Sequence, residues 1–171
     1  MDRPNHINTV ATCTLEKYAH RTLYEILQKE FPESEMRSFQ SQISAFLHRD
    51  YRISVSGDNQ AFTLWWDFMS LIFVEYVLVA PQCRHCGKGS MLLDELKKYK
   101  KLIILEVETH NTGLLEFYKA NGFQTNNIDY EAVPLNNNPA DKYYLMSFHR
   151  ELTHSEFGEF IELIHAPEYQ F

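Results

Sequence analysis

Long apolar runs are missing from this sequence. The longest, LIFVEYVLVA over residues 71–80, carries a glutamate inside it and is about half of the roughly 20 residues a membrane-spanning helix needs. Glycine and proline are scarce, six of each in 171 residues, so no low-complexity linker divides the chain. No internal repeat is visible. Positive charge is in deficit: 16 Lys and Arg stand against 23 Asp and Glu, a net charge of -7. That balance gives no general attraction to nucleic acid and mildly favours cationic partners. Cysteines number three, and an odd count argues against a disulfide framework. The opening MDRPNH lacks the charged-then-apolar pattern of a secretory signal. A soluble, cytoplasmic protein with reduced thiols is expected, binding neither membrane nor nucleic acid. Hydrophobic residues make up 44%, too many for a disordered chain. The length predicts one domain spanning residues 1–171.

What is present alternates between two periodicities. Leu15, Tyr18, Leu23, Ile26, Leu27 and Phe31 recur at helical spacing, which predicts an amphipathic helix over 14–30. FPESEMRS interrupts it, and Phe39, Ile43, Phe46 and Leu47 mark a second, short helix. YRISVS and QAFTLWW read as strands joined by the hairpin signal GDN. Residues 71–80 are apolar on both faces, as a central strand is. SMLLDELKKYKK reads as a helix with a cationic C-terminal end, LIILEVE as a buried strand, and NTGLLEFYKANGF as a helix stopped by Gly122. NIDYEAV and KYYLMSF read as late strands, and no clear first strand is visible in NHINTVATCT. Thr153 and Glu156 have capping-box spacing ahead of a final helix. The fold class is α+β, of α/β-type three-layer form, with helices flanking a mixed sheet.

The stretch VLVAPQCRHCGKGS, residues 77–90, admits two chemistries. Cys83-x-x-Cys86 after an apolar strand has the form of a thiol-disulfide site, which needs its helix to continue through the second cysteine. Gly87 and Gly89 follow instead, and each costs a helix interior about 1 kcal/mol relative to Ala. Zinc would want four ligands where one pair is offered. The second chemistry uses the glycines. Arg84-x-x-Gly87-x-Gly89 lets a phosphate approach bare N–H groups, with the positive end of a helix near Ser90 and the charges of Arg84 and Lys88 beside it. Alone, so short a motif is a weak signal.

Its continuation, LEVETHNTGLLEFYKANGF, strengthens it. Arg84, Gly87, Gly89 and Ser90, followed by Asn111 and then by Phe117, Tyr118, Gly122 and Phe123, resemble in order and separation the two motifs of the GNAT superfamily of N-acetyltransferases. The resemblance covers residues 71–123 well and the rest more loosely; Cys83, His85 and Cys86 are unusual for the loop. It implies a GNAT-like mixed central sheet and a transfer of acetyl from acetyl-coenzyme A, the co-substrate, to a primary amine on a small molecule or peptide. Cofactor contacts are implied at Val77, Leu78, Val79, Arg84, His85, Cys86, Gly87, Lys88, Gly89, Ser90, Asn111, Phe117 and Tyr118. No metal is implied, and a homodimer is compatible with it. The alternatives are a coenzyme A-binding protein without turnover and a CxxC oxidoreductase.

The chemistry implied sets demands on the residues. An alkylamine with a pKa near 10.4 must lose a proton before it attacks a thioester. Glu75, in phase with Phe73, Val77 and Val79 on the central strand, is the expected base, with Glu106 and Glu108 as rivals. Apolar neighbours would desolvate Glu75 and raise its pKa. The resemblance implies backbone N–H near Leu78 or Val79 as oxyanion donors and Tyr118 as the acid that protonates the departing thiolate. Each has a structural alternative: Glu75 paired with a buried arginine, Tyr118 as core filling, Arg84 as a solvated charge. His85 reads as solvated, Trp65 and Trp66 as strand packing with one of them a candidate for the cleft. FPESE reads as an exposed turn, where Glu33 and Glu35 could instead attract a cationic amine.

Overall fold

The computed structural model describes residues 10–13, 17–132, 142–166 and 169. The described strands are β1 (Val10–Cys13), β2 (Tyr51–Ser56), β3 (Ala61–Asp67), β4 (Leu71–Val79), β5 (Leu102–Glu108), β6 (Phe123–Thr125) and β7 (Tyr143–Phe148). They form one sheet in the order β1-β2-β3-β4-β5-β7-β6. Every adjacent pair is antiparallel except β4 and β5, which run parallel. The helices are α1 (Lys17–Glu30), α2 (Phe39–Leu47), α3 (Lys88–Lys97), α4 (Thr112–Ala120) and α5 (His154–Ile164). None of the described helices is long and apolar enough to cross a membrane.

The sheet separates two apolar layers, because alternate side chains of a strand point to opposite faces. On one face Leu23 and Leu27 of α1, Ala45 of α2 and Phe160 and Ile164 of α5 pack on Ile53, Leu64, Phe73 and Ile104. On the other, Leu93 and Leu96 of α3 and Leu115 and Tyr118 of α4 pack on Trp65, Ile72, Val74, Ile103 and Leu105. The result is the expected α+β mixed sheet between helical layers.

Several local expectations hold. Asn59 takes φ 57° in the β2–β3 hairpin. Gly122 takes φ 87° just past α4, where a left-handed residue lets a helix end. Thr153 and Glu156 close a reciprocal capping box on α5. Others need correction. Thr12 and its neighbours do form a first strand, β1, whose partners Ser56 to Ile53 lie far along the chain. The start of the helix predicted over 14–30 lies outside the described residues, and α3 begins at Lys88, ahead of Ser90. The strand predicted over 127–133 is absent from its described part; β6 precedes it. Just past β6, Asn126 donates to the Leu145 carbonyl from both its backbone N–H and its side-chain amide, and its Oδ1 accepts from Leu152 N–H, which ties the end of the strand to the segment ahead of α5.

Candidate active site

The parallel ladder between β4 and β5 is short. It runs from Leu71 opposite Leu102 to Val74 opposite Leu105 and then stops. Both strands continue, β4 to Val79 and β5 to Glu108, so they diverge as a fork. The cause lies on the other edge of β4. Leu64 pairs with Tyr76 but Trp65 pairs with Val74, which leaves Glu75 as the extra residue of a β-bulge. A bulge bends its strand and increases its twist. It also shifts the alternation. Phe73 belongs to the layer of α1 and α5, and so do Tyr76 and Leu78, whereas Val77 belongs to the layer of α3 and α4. The expected phase of Glu75 with Phe73, Val77 and Val79 is therefore broken at Glu75 itself.

A cavity of about 300 Å³ occupies the fork. Val77, Asn111, Leu114 and Tyr118 line one side of it, and Glu75, Glu106, Glu108, Tyr143 and Tyr169 another. Glu30 and Glu35 stand at its rim with Phe31. Among the described residues, no lysine or arginine lines it, so the cavity is net acidic. Thus the structure gathers Glu75, Glu106, Glu108 and Tyr118 around one space.

Glu75 does not sit among apolar neighbours, which corrects the expected cause of its desolvation. Arg37 pairs with its Oε1, Tyr51 donates to its Oε2, and Tyr169 donates to Oε1 at 3.2 Å. Arg37 and Glu75 side chains are only 3% and 5% exposed. The Arg37 guanidinium also donates to the Tyr169 carbonyl at 3.2 Å and lies 4.7 Å from that ring's centre. Burial, and then the charge of Glu75, push the Tyr51, Tyr76 and Tyr169 hydroxyls well above their usual range, so all three keep their protons. FPESE forms a short 3-10 turn over Glu33–Glu35 with no buried residue, and the buried Met36 and Arg37 follow directly after it.

Glu106 titrates above the ordinary carboxyl range. Burial pushes it up to about 7, against the hydrogen bond it accepts from Tyr130, with the nearby charge of Glu75 adding to the rise. Tyr118 is 5% exposed. Burial pushes its hydroxyl well above its usual value, so it keeps its proton at neutral pH. Glu108 lies 3.5 Å from His110. Trp65 and Trp66 are fully buried and line no part of the cavity.

The loop after β4 leads into α3. Its first turn has N–H groups with no acceptor inside the helix, and the N-cap, Gly87 at φ 79°, offers no side chain to satisfy them. The helix dipole adds to their affinity for an anion. Arg84 pairs with Glu30 at 2.7 Å and donates to the Val79 carbonyl at 3.2 Å; Lys88 pairs with Asp58. His85 is exposed. Gly89 is needed for closeness rather than for an unusual backbone angle. A Cβ there would lie 2.9 Å from the Phe117 ring and 3.7 Å from Val79. Asn111 caps α4 by accepting from Leu114 N–H at 3.1 Å, which leaves its amide N–H groups as donors beside the cavity.

Residues 48–125 match the family described as the acetyltransferase (GNAT) domain. Over 131 residues the chain is 32% identical to YjbC of Bacillus subtilis, provisionally named an acetyltransferase, and the alignment covers 72% of this chain and 68% of YjbC. The chain belongs to the GNAT family. Its fold agrees. A GNAT-family protein of Bacteroides thetaiotaomicron superposes with a TM-score of 0.81 at 22% identity, over 95% of this chain and 99% of that one. Arabidopsis thaliana NAA60 in complex with acetyl-CoA superposes with a TM-score of 0.65 at 15% identity, over 82% and 98%. The part that matches the GNAT family holds the bulge, the fork, the α3 loop and α4. Arg37, Tyr130 and Tyr169 lie outside it. No motif pointed to them; the one signal for Arg37 was the possibility of a buried arginine opposite Glu75.

Proposed function

We propose that this GNAT protein transfers acetyl from acetyl-CoA directly to a cationic primary amine. The fork carries the reading: it opens a path between the sheet's two helical layers, with anion-binding donors on one side and carboxylates on the other. Acetyl-CoA supplies the thioester and the thiolate leaving group. The α3 N–H groups, with Gly87 at the N-cap and Lys88 nearby, suit its pyrophosphate, and NAA60, of the same fold, is described with acetyl-CoA bound. The β4 edge left open beyond the short ladder offers the Val79 N–H for the negative charge that develops on the carbonyl oxygen, whereas Ala80 N–H donates to Gln60 on the β3 side and the Leu78 N–H, two residues earlier, points the same way.

The acidic cavity attracts the ammonium form of the amine. Glu106 then takes its proton, because a base that titrates near neutrality is matched to that task. Glu75, already engaged by three donors, instead holds Arg37 and the tyrosines in place. Tyr118 retains a proton for the leaving sulfur. The test is acetyl-CoA titration followed by coenzyme A release with a panel of alkyl diamines, aminosugars and peptide N-termini. Binding together with release by cationic amines is expected. Binding with no release by any amine would leave a coenzyme A-binding protein, and no binding would remove the reading altogether.

A further inference from the structure

Cys83 and Cys86 have no part in the chemistry above, yet the loop that carries them has an unusual shape. Cys83 ends a 3-10 turn over Pro81–Cys83. Arg84 then takes φ -65° and ψ 155°, and His85 takes φ 60°. Those angles are close to a type II turn, whose third residue is normally glycine, and residues 84–85 form a turn. A histidine in that left-handed region is strained, and such strain persists where the surroundings hold it. The consequence is a juxtaposition. Cys83 and Cys86 are the first and fourth residues of the turn, whose Cα atoms approach within about 7 Å, inside the range a disulfide spans. Cys86 is exposed and Cys83 half-buried, with its sulfur 3.9 Å from Gln60 Oε1.

We propose that Cys83 and Cys86 form a reversible disulfide that weakens the grip of the α3 loop on the pyrophosphate of acetyl-CoA. The oxidant is a peroxide. The Cys86 thiolate attacks a peroxide oxygen and breaks the O–O bond, which gives a sulfenic acid and hydroxide. The Cys83 thiolate then displaces hydroxide from that sulfur and forms the S–S bond. In total two thiols and one hydrogen peroxide become one disulfide and two waters; a dithiol reductant reverses it. Closing this ring pulls the Cys86 sulfur back across the turn and locks the backbone from Cys83 to Cys86, the residue immediately ahead of the Gly87 N-cap. The N–H groups there can no longer adjust around a bound anion.

The effect on affinity rests on the acetyl-CoA reading; the disulfide itself does not. A Cys13→Ser protein leaves these two thiols alone. After mild hydrogen peroxide and alkylation, its peptide map should show one intramolecular Cys83–Cys86 link. Its acetyl-CoA affinity should fall about tenfold, equivalent to ~1.4 kcal/mol, and return with dithiothreitol. Cys13→Ser/Cys83→Ser, which cannot close the ring, should keep its affinity under the same dose. Free thiols or only intermolecular links overturn the proposal, and so does a linked protein that binds as tightly as the reduced one. A reduced protein that binds no acetyl-CoA removes the function and the gate together, while the peptide map still decides the disulfide.

Discussion

Glu106→Gln tests the environment of the fork and its chemistry in one variant. The substitution keeps the shape of the side chain, and its amide oxygen can still accept from Tyr130. It removes only the ability to ionise. In the folded protein Glu106 titrates at about 7 against an ordinary value of 4.5. A carboxyl raised in the folded state favours folding below its unfolded value, and that contribution is lost as pH rises through the folded one. The wild type should therefore lose stability between pH 4.5 and about 7, and the variant should not. At ~1.36 kcal/mol per pH unit, that gap sets a ceiling of about 3 kcal/mol on the variant's advantage in alkaline solution, lowered by whatever water the cavity admits. Urea unfolding of both proteins at about pH 5 and about pH 8.5 reads the difference. If Glu106 is the base, the variant also loses ~10²–10⁴-fold in kcat/KM and the acidic limb of its pH profile. An advantage that does not grow with pH would show that Glu106 is not desolvated. An acidic limb that survives the substitution would show that another group takes the proton.

Arg37→Met strands the buried Glu75 carboxylate and should cost about 3–5 kcal/mol in chemical denaturation; Arg37→Met/Glu75→Gln should recover most of it, and equal losses in both would mean the pair is not coupled. Gly89→Ala presses on the Phe117 ring and should cost ~1–3 kcal/mol of stability, with Phe117→Leu in the same chain restoring it; a loss that Phe117→Leu leaves untouched would place the strain elsewhere. Tyr118→Phe should keep acetyl-CoA affinity while turnover slows ~10²–10⁴-fold, and an unchanged single-turnover rate would reduce Tyr118 to packing.

Elements set by local signals were legible. The stop at Gly122, the box at Thr153 and Glu156 and the hairpin at Asn59 each depend on residues within a few positions of one another. The glycines of the α3 loop were visible for the same reason, although their reasons differ: Gly87 answers to a backbone angle and Gly89 to the nearness of Phe117. β1 was hidden because a four-residue edge strand is specified by its partner, not by its own pattern. The bulge at Glu75 was hidden because β4 is apolar on both faces, so a one-residue change of phase leaves no trace in its hydropathy. Arg37 lies 38 positions before Glu75 and Tyr169 lies 94 after it. Such an ion-pair network exists only once the chain has closed, so the carboxylate could be found from the sequence but its company could not.

The four-residue ladder between β4 and β5 is also a seam. On one side of it β1 to β4 form a continuous antiparallel sheet; on the other, β5, β7 and β6 form a second, with β7 between the other two. Between them the chain makes its crossover through α3, which packs back on β2, β3 and β4. A break in the backbone at the turn around Lys100 would thus leave two fragments, each with its own antiparallel ladders intact, and would sever no strand. The protein divides at the fork, and fragments ending and beginning at that turn should reassemble when mixed, regaining the cavity only when the two meet.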